Sequence, residues 1–250
     1  MKNRCSKLTF TVLALALCAV VLKTIPHATG QEKKTPADAV TQVQDDPAVS
    51  QAVLAIRLAV QGEATRSPML MLAAAEILGQ LKTNDNPSDV KRSVKSETPS
   101  DQKKRLSVDI KEWQEKAIEY AKGDKELTAV VETFVEKQSS RGIINAPKNA
   151  GLLKLGTSTY RIIDSGFLAA GDTVLLTNLQ YAGGSNATLG VVADVDSSFV
   201  MSGRDFKGGV MGGESLRGFG LLSWSPPMTG AYSLTIRNTG ADTAYVVIAN

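Results

Sequence analysis

The sequence predicts an α+β protein of two domains, in which about four N-terminal helices arranged as hairpins precede a C-terminal antiparallel β-sandwich of jelly-roll-like form. Apolar residues recur at helical spacing through residues 47–138. From residue 152 onward, glycine, threonine, serine and valine dominate, and polar and apolar residues alternate. Turn residues interrupt this second region at short intervals, which is typical of an antiparallel sandwich.

Residues 1–30 are typical of a secretory signal peptide. A basic start precedes the mostly apolar residues 8–22, and small residues at 28–30 offer a cleavage site. The apolar run is shorter than the roughly 20 residues that span a bilayer. We therefore expect cleavage, no stable membrane span afterwards, and an exported protein that is periplasmic or extracellular. An uncleaved anchor and lipidation at Cys18 are the alternatives.

Cleavage would remove Cys5, Cys18 and His27, the only cysteines and histidine of the chain. This excludes zinc sites built on those residues, Cys-His nucleophiles and Ser-His-Asp triads from the mature protein. The remaining chain has 24 basic and 25 acidic residues. Without a basic surplus, we expect no nucleic-acid partner, and nothing in the composition indicates a cofactor.

Two helical hairpins are predicted for the helical domain, residues 47–140. Gly62 is expected to end the first helix, and Ser67 with Pro68 to begin the second. Gly123 and Asp124 separate the third helix from the fourth. The four apolar stripes are Val49, Val53, Ile56 and Val60; Leu70, Ala73, Ile77 and Leu81; Ile110, Trp113, Ala117 and Ala121; and Leu127, Val130, Val131 and Phe134.

Three polar segments surround and divide this domain. Residues 31–46 are predicted to be a spacer and residues 141–151 a linker. Residues 82–104 are predicted to be a disordered insertion, because their only aliphatic side chains are those of Val90 and Val94. The insertion is either a docking segment or a tolerated spacer.

The β-sandwich is predicted to occupy residues 152–250. Tyr232, Leu234 and Ile236 alternate with polar residues and indicate a half-buried strand. Pro226 and Pro227 are expected to interrupt the chain just before it. Further strands are predicted at residues 174–179, 189–194, 199–202, 220–224 and 245–250.

Residues 155–250 resemble the bacterial pre-peptidase C-terminal domain. The residues that carry the resemblance are Ala170-Gly171-Asp172-Thr173-Val174, a strand ending at 194–196, the run Trp-Ser-Pro-Pro-Met-Thr-Gly-Ala-Tyr at 224–232, Arg237-Asn238 and the final strand. The resemblance implies a β-sandwich that serves exported proteins as an accessory module for targeting, substrate contact or secretion. It implies no enzymatic activity.

One stretch departs from that domain. Members often carry Asp-Leu-Asp-Leu on a central strand, whereas this chain has Asn186-Ala187-Thr188-Leu189. Calcium prefers several hard oxygen ligands, so the departure weakens a cation role. Asp194 and Asp196 remain as a metal alternative beside the simpler interpretation of a solvated strand end.

The glycine-rich residues 203–218 form the candidate binding loop. They lack the Gly-Lys-Ser/Thr ending of a phosphate loop. The segment is either an adaptable loop for an anionic or sugar ligand or a long hairpin connection. Among the aromatic residues, Trp224 and Tyr232 are expected in a core or, as the alternative, on a sugar-binding platform. The candidate ligand-binding residues are Arg204, Phe206, Lys207, Arg217 and Tyr181.

No catalytic residue is predicted. Two Ser-x-x-Lys matches, at residues 88–91 and 100–103, fall in the polar insertion and lack their partner motifs. The sequence therefore favours a non-catalytic exported binding or scaffolding protein of the cell envelope, whose sandwich contacts polysaccharide, peptidoglycan or a protein partner. A structural or assembly protein acting through its helical hairpins is the second hypothesis, and a carboxylate-dependent hydrolase is the third.

Overall fold

The computed structural model describes residues 44–84, 89–96, 105–140, 159–205 and 207–250. These residues all belong to one compact unit, Gln42–Asn250. They form four helices and nine strands, so the predicted α+β class is confirmed. The predicted signal peptide and linker lie outside the described residues, as does the spacer before residue 44.

The helices form two hairpins, as the sequence predicts. At the start of the second helix, the Ser67 hydroxyl accepts a hydrogen bond from the Leu70 amide at 3.4 Å, and Pro68 occupies the first turn. Gly62 does not end the first helix, which continues until Arg66 takes a left-handed conformation. No helix in the described part of the chain is both long and apolar enough to cross a membrane. The helices are α1 (Pro47–Thr65), α2 (Pro68–Gly79), α3 (Ile110–Ala121) and α4 (Lys125–Ser140).

The strands form two antiparallel sheets. One has five strands in the order β1-β3-β8-β5-β6, and the other has four in the order β2-β9-β4-β7. Their bounds are β1 (Lys91–Lys95), β2 (Arg161–Leu168), β3 (Thr173–Tyr181), β4 (Ala187–Ala193), β5 (Ser198–Arg204), β6 (Val210–Arg217), β7 (Phe219–Trp224), β8 (Gly230–Asn238) and β9 (Thr243–Ala249).

The four-stranded sheet is buried on both faces. Its inner face shares a core with the five-stranded sheet, where Leu189 and Val247 join Leu234. Its outer face packs against the helices through Val192 and Ile248. As a result, β4 and β9 are buried at every position. The predicted separation into two domains is not confirmed, because the helices and strands share this second core.

Gly190 on β4 allows α1 to approach the sheet closely. A Cβ atom at this position would lie 2.3 Å from Val53 Cγ2, well inside van der Waals contact. The amide of Asp46, at the start of α1, also donates a hydrogen bond to the hydroxyl of Thr188 at 2.9 Å. The first helix is therefore held against β4 by both packing and hydrogen bonding.

Part of the predicted disordered insertion is ordered. Lys91–Lys95 form β1, which pairs with β3 along its whole length. Arg92 fixes this strand, because its Nε lies 3.3 Å from Asp164 Oδ2 on β2 and donates to the Tyr245 hydroxyl at 3.4 Å. The composition of residues 82–104 did not predict β1, because this strand is ordered by pairing with β3, which is distant in the sequence. Residues 85–88 and 97–104 of the insertion lie outside the described residues.

Candidate functional site

The outer face of the five-stranded sheet, called here the open face, is the principal candidate surface. Leu175 on β3 and Val200 on β5 point outward, and they are 37% and 38% exposed although neither strand is at the sheet edge. The outer face of the four-stranded sheet, by contrast, is covered by helices. The central row of the open face, read across the sheet from β1 to β6, is Ser93, Leu175, Thr235, Ser202 and Gly213.

Exposed cations lie on both sides of this central row. Lys95 and Arg237 belong to one flanking row, because each is paired with Thr173. The other flanking row contains Lys91, which lies four residues before Lys95 on β1, and Arg204, which is paired with Ser233. Because Arg92 points inward to Asp164, alternation along β1 places Lys91 and Lys95 outward. Hydroxyl groups and a leucine thus lie between two sets of positive charges.

These cations are not neutralised within the part of the chain that the structure describes. Lys91, Lys95, Arg204, Arg217 and Arg237 form no salt bridge with a described acidic group. Five of the six aspartates in residues 159–250 accept backbone amides or, in the case of Asp164, pair with Arg92. They are Asp164, Asp172, Asp194, Asp205 and Asp242.

The predicted binding loop is mostly a β-hairpin. Glycines at 203 and 212 face the second sheet, where a Cβ atom on either would lie 2.8 Å from Leu222. The glycines therefore make room for a core side chain, and β5 ends at Arg204 only a short turn before β6 begins at Val210. In this turn, Asp205 Oδ1 accepts hydrogen bonds from the Lys207 and Gly209 amides at 2.8 and 2.7 Å.

The structure separates the residues predicted to form one site. Arg204 and Lys207 lie together near the hairpin turn, where Arg204 Nη1 donates to the Gly208 carbonyl at 3.4 Å. Arg217 is paired with Ser198 at the other end of the hairpin. Six residues of strand make this separation about 20 Å. Phe206 lies outside the described residues. Arg217 therefore lies closer to Arg237, for which the sequence predicted no ligand contact.

Tyr181 is a core residue and not a surface ligand contact. It is 7% exposed, and its ring makes an edge-on contact with Trp224 at a centroid distance of 4.9 Å. The ring of Tyr232 lies 6.0 Å away. All three aromatic residues belong to the core between the sheets, which excludes them from a flat sugar-binding platform.

Burial of Tyr181 predicts a loss of stability at alkaline pH. Its hydroxyl has no hydrogen-bond partner among the described residues, and burial raises its pKa. The unfolded tyrosine ionises near pH 10, whereas the folded one stays protonated. The stability contribution of Tyr181 is therefore complete below about pH 10 and decreases above it, by up to about 1.4 kcal/mol per pH unit.

We expect Tyr181→Phe to leave the free energy of unfolding unchanged or slightly higher at pH 7, because it removes an unpaired buried hydroxyl. Between pH 10 and 11 the variant should lose stability less steeply than the parent. Urea unfolding at pH 7, 10 and 11 measures both effects. Identical slopes for parent and variant would contradict a buried, protonated Tyr181.

Asn186 and Thr188 lie in the stretch that departs from the Asp-Leu-Asp-Leu pattern, and both form hydrogen bonds to the residues that begin α1. Thr188 is fully buried, accepts the Asp46 amide through its hydroxyl, and donates its own amide to Asn250 Oδ1 at 3.1 Å. The Asn186 side-chain amide donates to the Gln44 carbonyl. Both positions are therefore occupied in joining the helical layer to β4.

A groove of about 500 Å³ lies between α1, α3 and two loops of the strand region. Asp194 Oδ2 accepts the Ala244 amide at 2.9 Å, and Asp242 Oδ1 accepts the Ala170 amide at 3.1 Å. No group of three or more acidic, histidine or cysteine side chains suited to a metal occurs among the described residues. Asp194 and Asp242 therefore stabilise loops through hydrogen bonds to backbone amides. The acidic side chains that line the groove are Glu63, Asp194, Asp196 and Asp242.

No protein-family profile matches the chain, and no curated protein matches it. Solved structures with some likeness include the C-terminal CBM6 of LamC from Zobellia galactanivorans, 12% identical, covering 36% of this chain and 90% of that chain with a TM-score of 0.24. TmCBM61 in complex with β-1,4-galactotriose is 7% identical, with coverages of 34% and 68% and a TM-score of 0.26.

A third likeness is to the active domain of tailspike protein 4 of bacteriophage CBA120. It is 17% identical and covers 34% of this chain, with a TM-score of 0.28. The chain spans only 15% of that domain's chain. At TM-scores this low, none of the three likenesses carries an argument about fold or ligand.

Proposed function

We propose that the protein is a non-catalytic binding protein of the cell envelope, in which the two sheets act as a β-sandwich that contacts polysaccharide or a protein partner through the open face. The observation that carries this proposal is the unequal covering of the sheets. Helices bury the outer face of the four-stranded sheet, whereas Leu175 and Val200 remain exposed in the middle of the other.

Four further features support the proposal. Residues 1–30 have the composition of an export signal, and residues 155–250 resemble an accessory module of exported proteins. The chain after residue 30 contains neither histidine nor cysteine. In addition, the groove aspartates Asp194 and Asp242 are engaged by backbone amides, which favours a structural role over a hydrolase.

The packing of the helices favours the open face over an assembly surface on the hairpins. Val49, Val53 and Ile56 on α1 are buried in the core shared with the four-stranded sheet. Trp113 on α3 is also buried in this core. The apolar stripes of α1 and α3 are therefore already used inside the molecule.

The absence of cysteine from the chain after residue 30 provides a direct test. A polyethylene glycol maleimide attached to Val200→Cys would shield the open face, whereas the same polymer on Val130→Cys would shield α4. We expect the polymer on Val200→Cys to reduce retention on an insoluble cell-envelope fraction by about tenfold or more, because it blocks the contact surface.

The labelled Val130→Cys protein is the matched control, since Val130 is also exposed. It should be retained like the unlabelled parent. Loss of retention only in the Val130→Cys protein would favour the helical hypothesis. Hydrolysis of a glycan or peptide panel by the parent would overturn the non-catalytic part of the proposal.

A further inference from the structure

The cations of the open face form a spaced array. Lys95 and Arg237 lie in one row two strands apart, which separates their Cα atoms by about 10 Å. Lys91 and Lys95 are four residues apart on β1, or about 13 Å. Arg237 is paired with Val200, so Arg204 lies four residues further along the neighbouring strand. Neighbouring charges are thus separated by about the length of a disaccharide repeat.

The groups between the cations are suited to hydroxylated ligands. Thr235 and Ser202 are paired across β8 and β5, and both are partly exposed. Ser93 extends this row on β1. Hydroxyl side chains both donate and accept hydrogen bonds, as sugar hydroxyls do. A ligand that offers anionic groups at intervals and hydroxyls between them would match both sets of side chains.

The open face is less suited to membranes and nucleic acids. The described residues of its three rows include no aromatic side chain, so bases would find no stacking partner and a bilayer no aromatic anchor. The exposed apolar side chains of these rows, Leu175, Val200 and Val210, are single residues among polar and charged neighbours.

We infer that the open face binds an acidic polysaccharide, a glycan that carries carboxylate, sulfate or phosphate groups on its repeating unit. This inference rests on the proposed function and adds the ligand class to it. The cations bind the anionic groups, and the central hydroxyl row bonds to the sugar ring between them. Because the cations are exposed, the attraction is screened by salt and falls as ionic strength rises.

The test compares a neutralised open face with a neutralised helical surface. The first variant combines Lys95→Gln, Arg204→Gln and Arg237→Gln. The matched control removes the same charge from exposed positions on α3, on α4 and in the turn between them. These control substitutions are Lys111→Gln, Lys122→Gln and Lys125→Gln. The probes are polygalacturonate, dextran sulfate, a phosphate-bearing teichoic acid and neutral dextran, with affinity measured at low and physiological salt.

We expect the parent to bind at least one acidic polymer and not neutral dextran, with affinity falling at higher salt. The open-face variant should lose about tenfold or more in affinity, and the helical control should stay within about twofold. The acidic polymer that binds most tightly identifies the anionic group. Thermal unfolding verifies that the variants are folded, and the single variant Arg237→Gln repeats the test if the triple variant is not.

Equal binding of neutral and acidic dextrans would overturn the inference, as would equal losses in the two triple variants. Tighter binding to anionic phospholipid vesicles or to duplex DNA would also overturn it. If polyethylene glycol attached to Val200→Cys blocks retention on the envelope fraction while no acidic polysaccharide binds, the ligand class is wrong and the proposed function remains. If polyethylene glycol on Val200→Cys does not affect retention on the envelope fraction but an acidic polysaccharide binds, the proposed function is wrong.

Discussion

The Gly190→Val variant should lose about 3 kcal/mol of folding free energy, at the upper end of the cost of overpacking a core. Even a methyl group at this position would lie 2.3 Å from Val53 Cγ2 and 3.4 Å from Val49 Cγ1 on α1. The clash cannot be relieved by rotating an exposed side chain, because Val49 and Val53 are both buried. Either α1 moves away from β4, or β4 is displaced within its sheet.

Urea denaturation of Gly190→Ala, Val53→Ala and the double variant measures this contact. We expect Gly190→Ala to cost about 1–3 kcal/mol, and the double variant to be more stable than the sum of the two single losses predicts, because Val53→Ala makes room for the new methyl group. Strictly additive losses, or a Gly190→Ala protein as stable as the parent, would contradict close packing of α1 on β4.

The second large effect is expected at Asn238, which is fully buried at the end of β8. Its Nδ2 donates to the carbonyls of Leu168 and Ala169, each at 3.1 Å, and of Ala241 at 2.7 Å. Its Oδ1 accepts the Gly240 amide at 2.9 Å. One side chain thus joins the β2–β3 and β8–β9 connections.

Asn238→Ala should cost about 3–5 kcal/mol, because it leaves several buried backbone groups without partners. Asn238→Asp should be at least as damaging, since a carboxylate would face the same carbonyl oxygens. Thermal and urea unfolding measure both losses. Asn178→Gly is the control, because Asn178 has a positive φ that glycine tolerates and its side chain makes exposed hydrogen bonds. A loss at Asn238 no larger than at Asn178 would show that the buried network is dispensable.

Periodicity located the elements that have one buried face, but it did not always identify that face. On α2 the predicted stripe of Leu70, Ala73, Ile77 and Leu81 is only half-buried, whereas the buried residues include Met71, Leu72, Ala74, Ala75 and Leu78, and Val130 of the α4 stripe is exposed. The four helices and the alternating strands β3 and β8 lie where the sequence predicts them, and β7 ends just before the two prolines. By contrast, β4 and β9 are nearly continuous apolar runs, a pattern of strands covered on both faces. That pattern indicates a further layer over the sheet. The sequence of β4 and β9 therefore contains the signal that helices and strands share a core.

Other elements leave weaker signals. The strand Lys91–Lys95 has one apolar residue, Val94, and all five of its residues are exposed, so local sequence alone gives no reason to expect order. In the glycine-rich hairpin, Gly203 and Gly212 leave room for Leu222, yet their composition is that of a loop. Arg204 and Arg217 were identified as candidates, but as members of one loop. Their relation to Arg237 depends on strand pairing across the sheet, which local sequence does not specify.

The strand β1 has a consequence for how such a protein can evolve. The chain leaves the helical layer after α2, contributes an edge strand to the far sheet, and then returns to form α3 and α4. A recombination event that separated the helical half from residues 159–250 would strip the five-stranded sheet of this edge and expose β3. The two halves are therefore expected to be inherited together, and exchanging either one as a cassette would require a replacement for Lys91–Lys95.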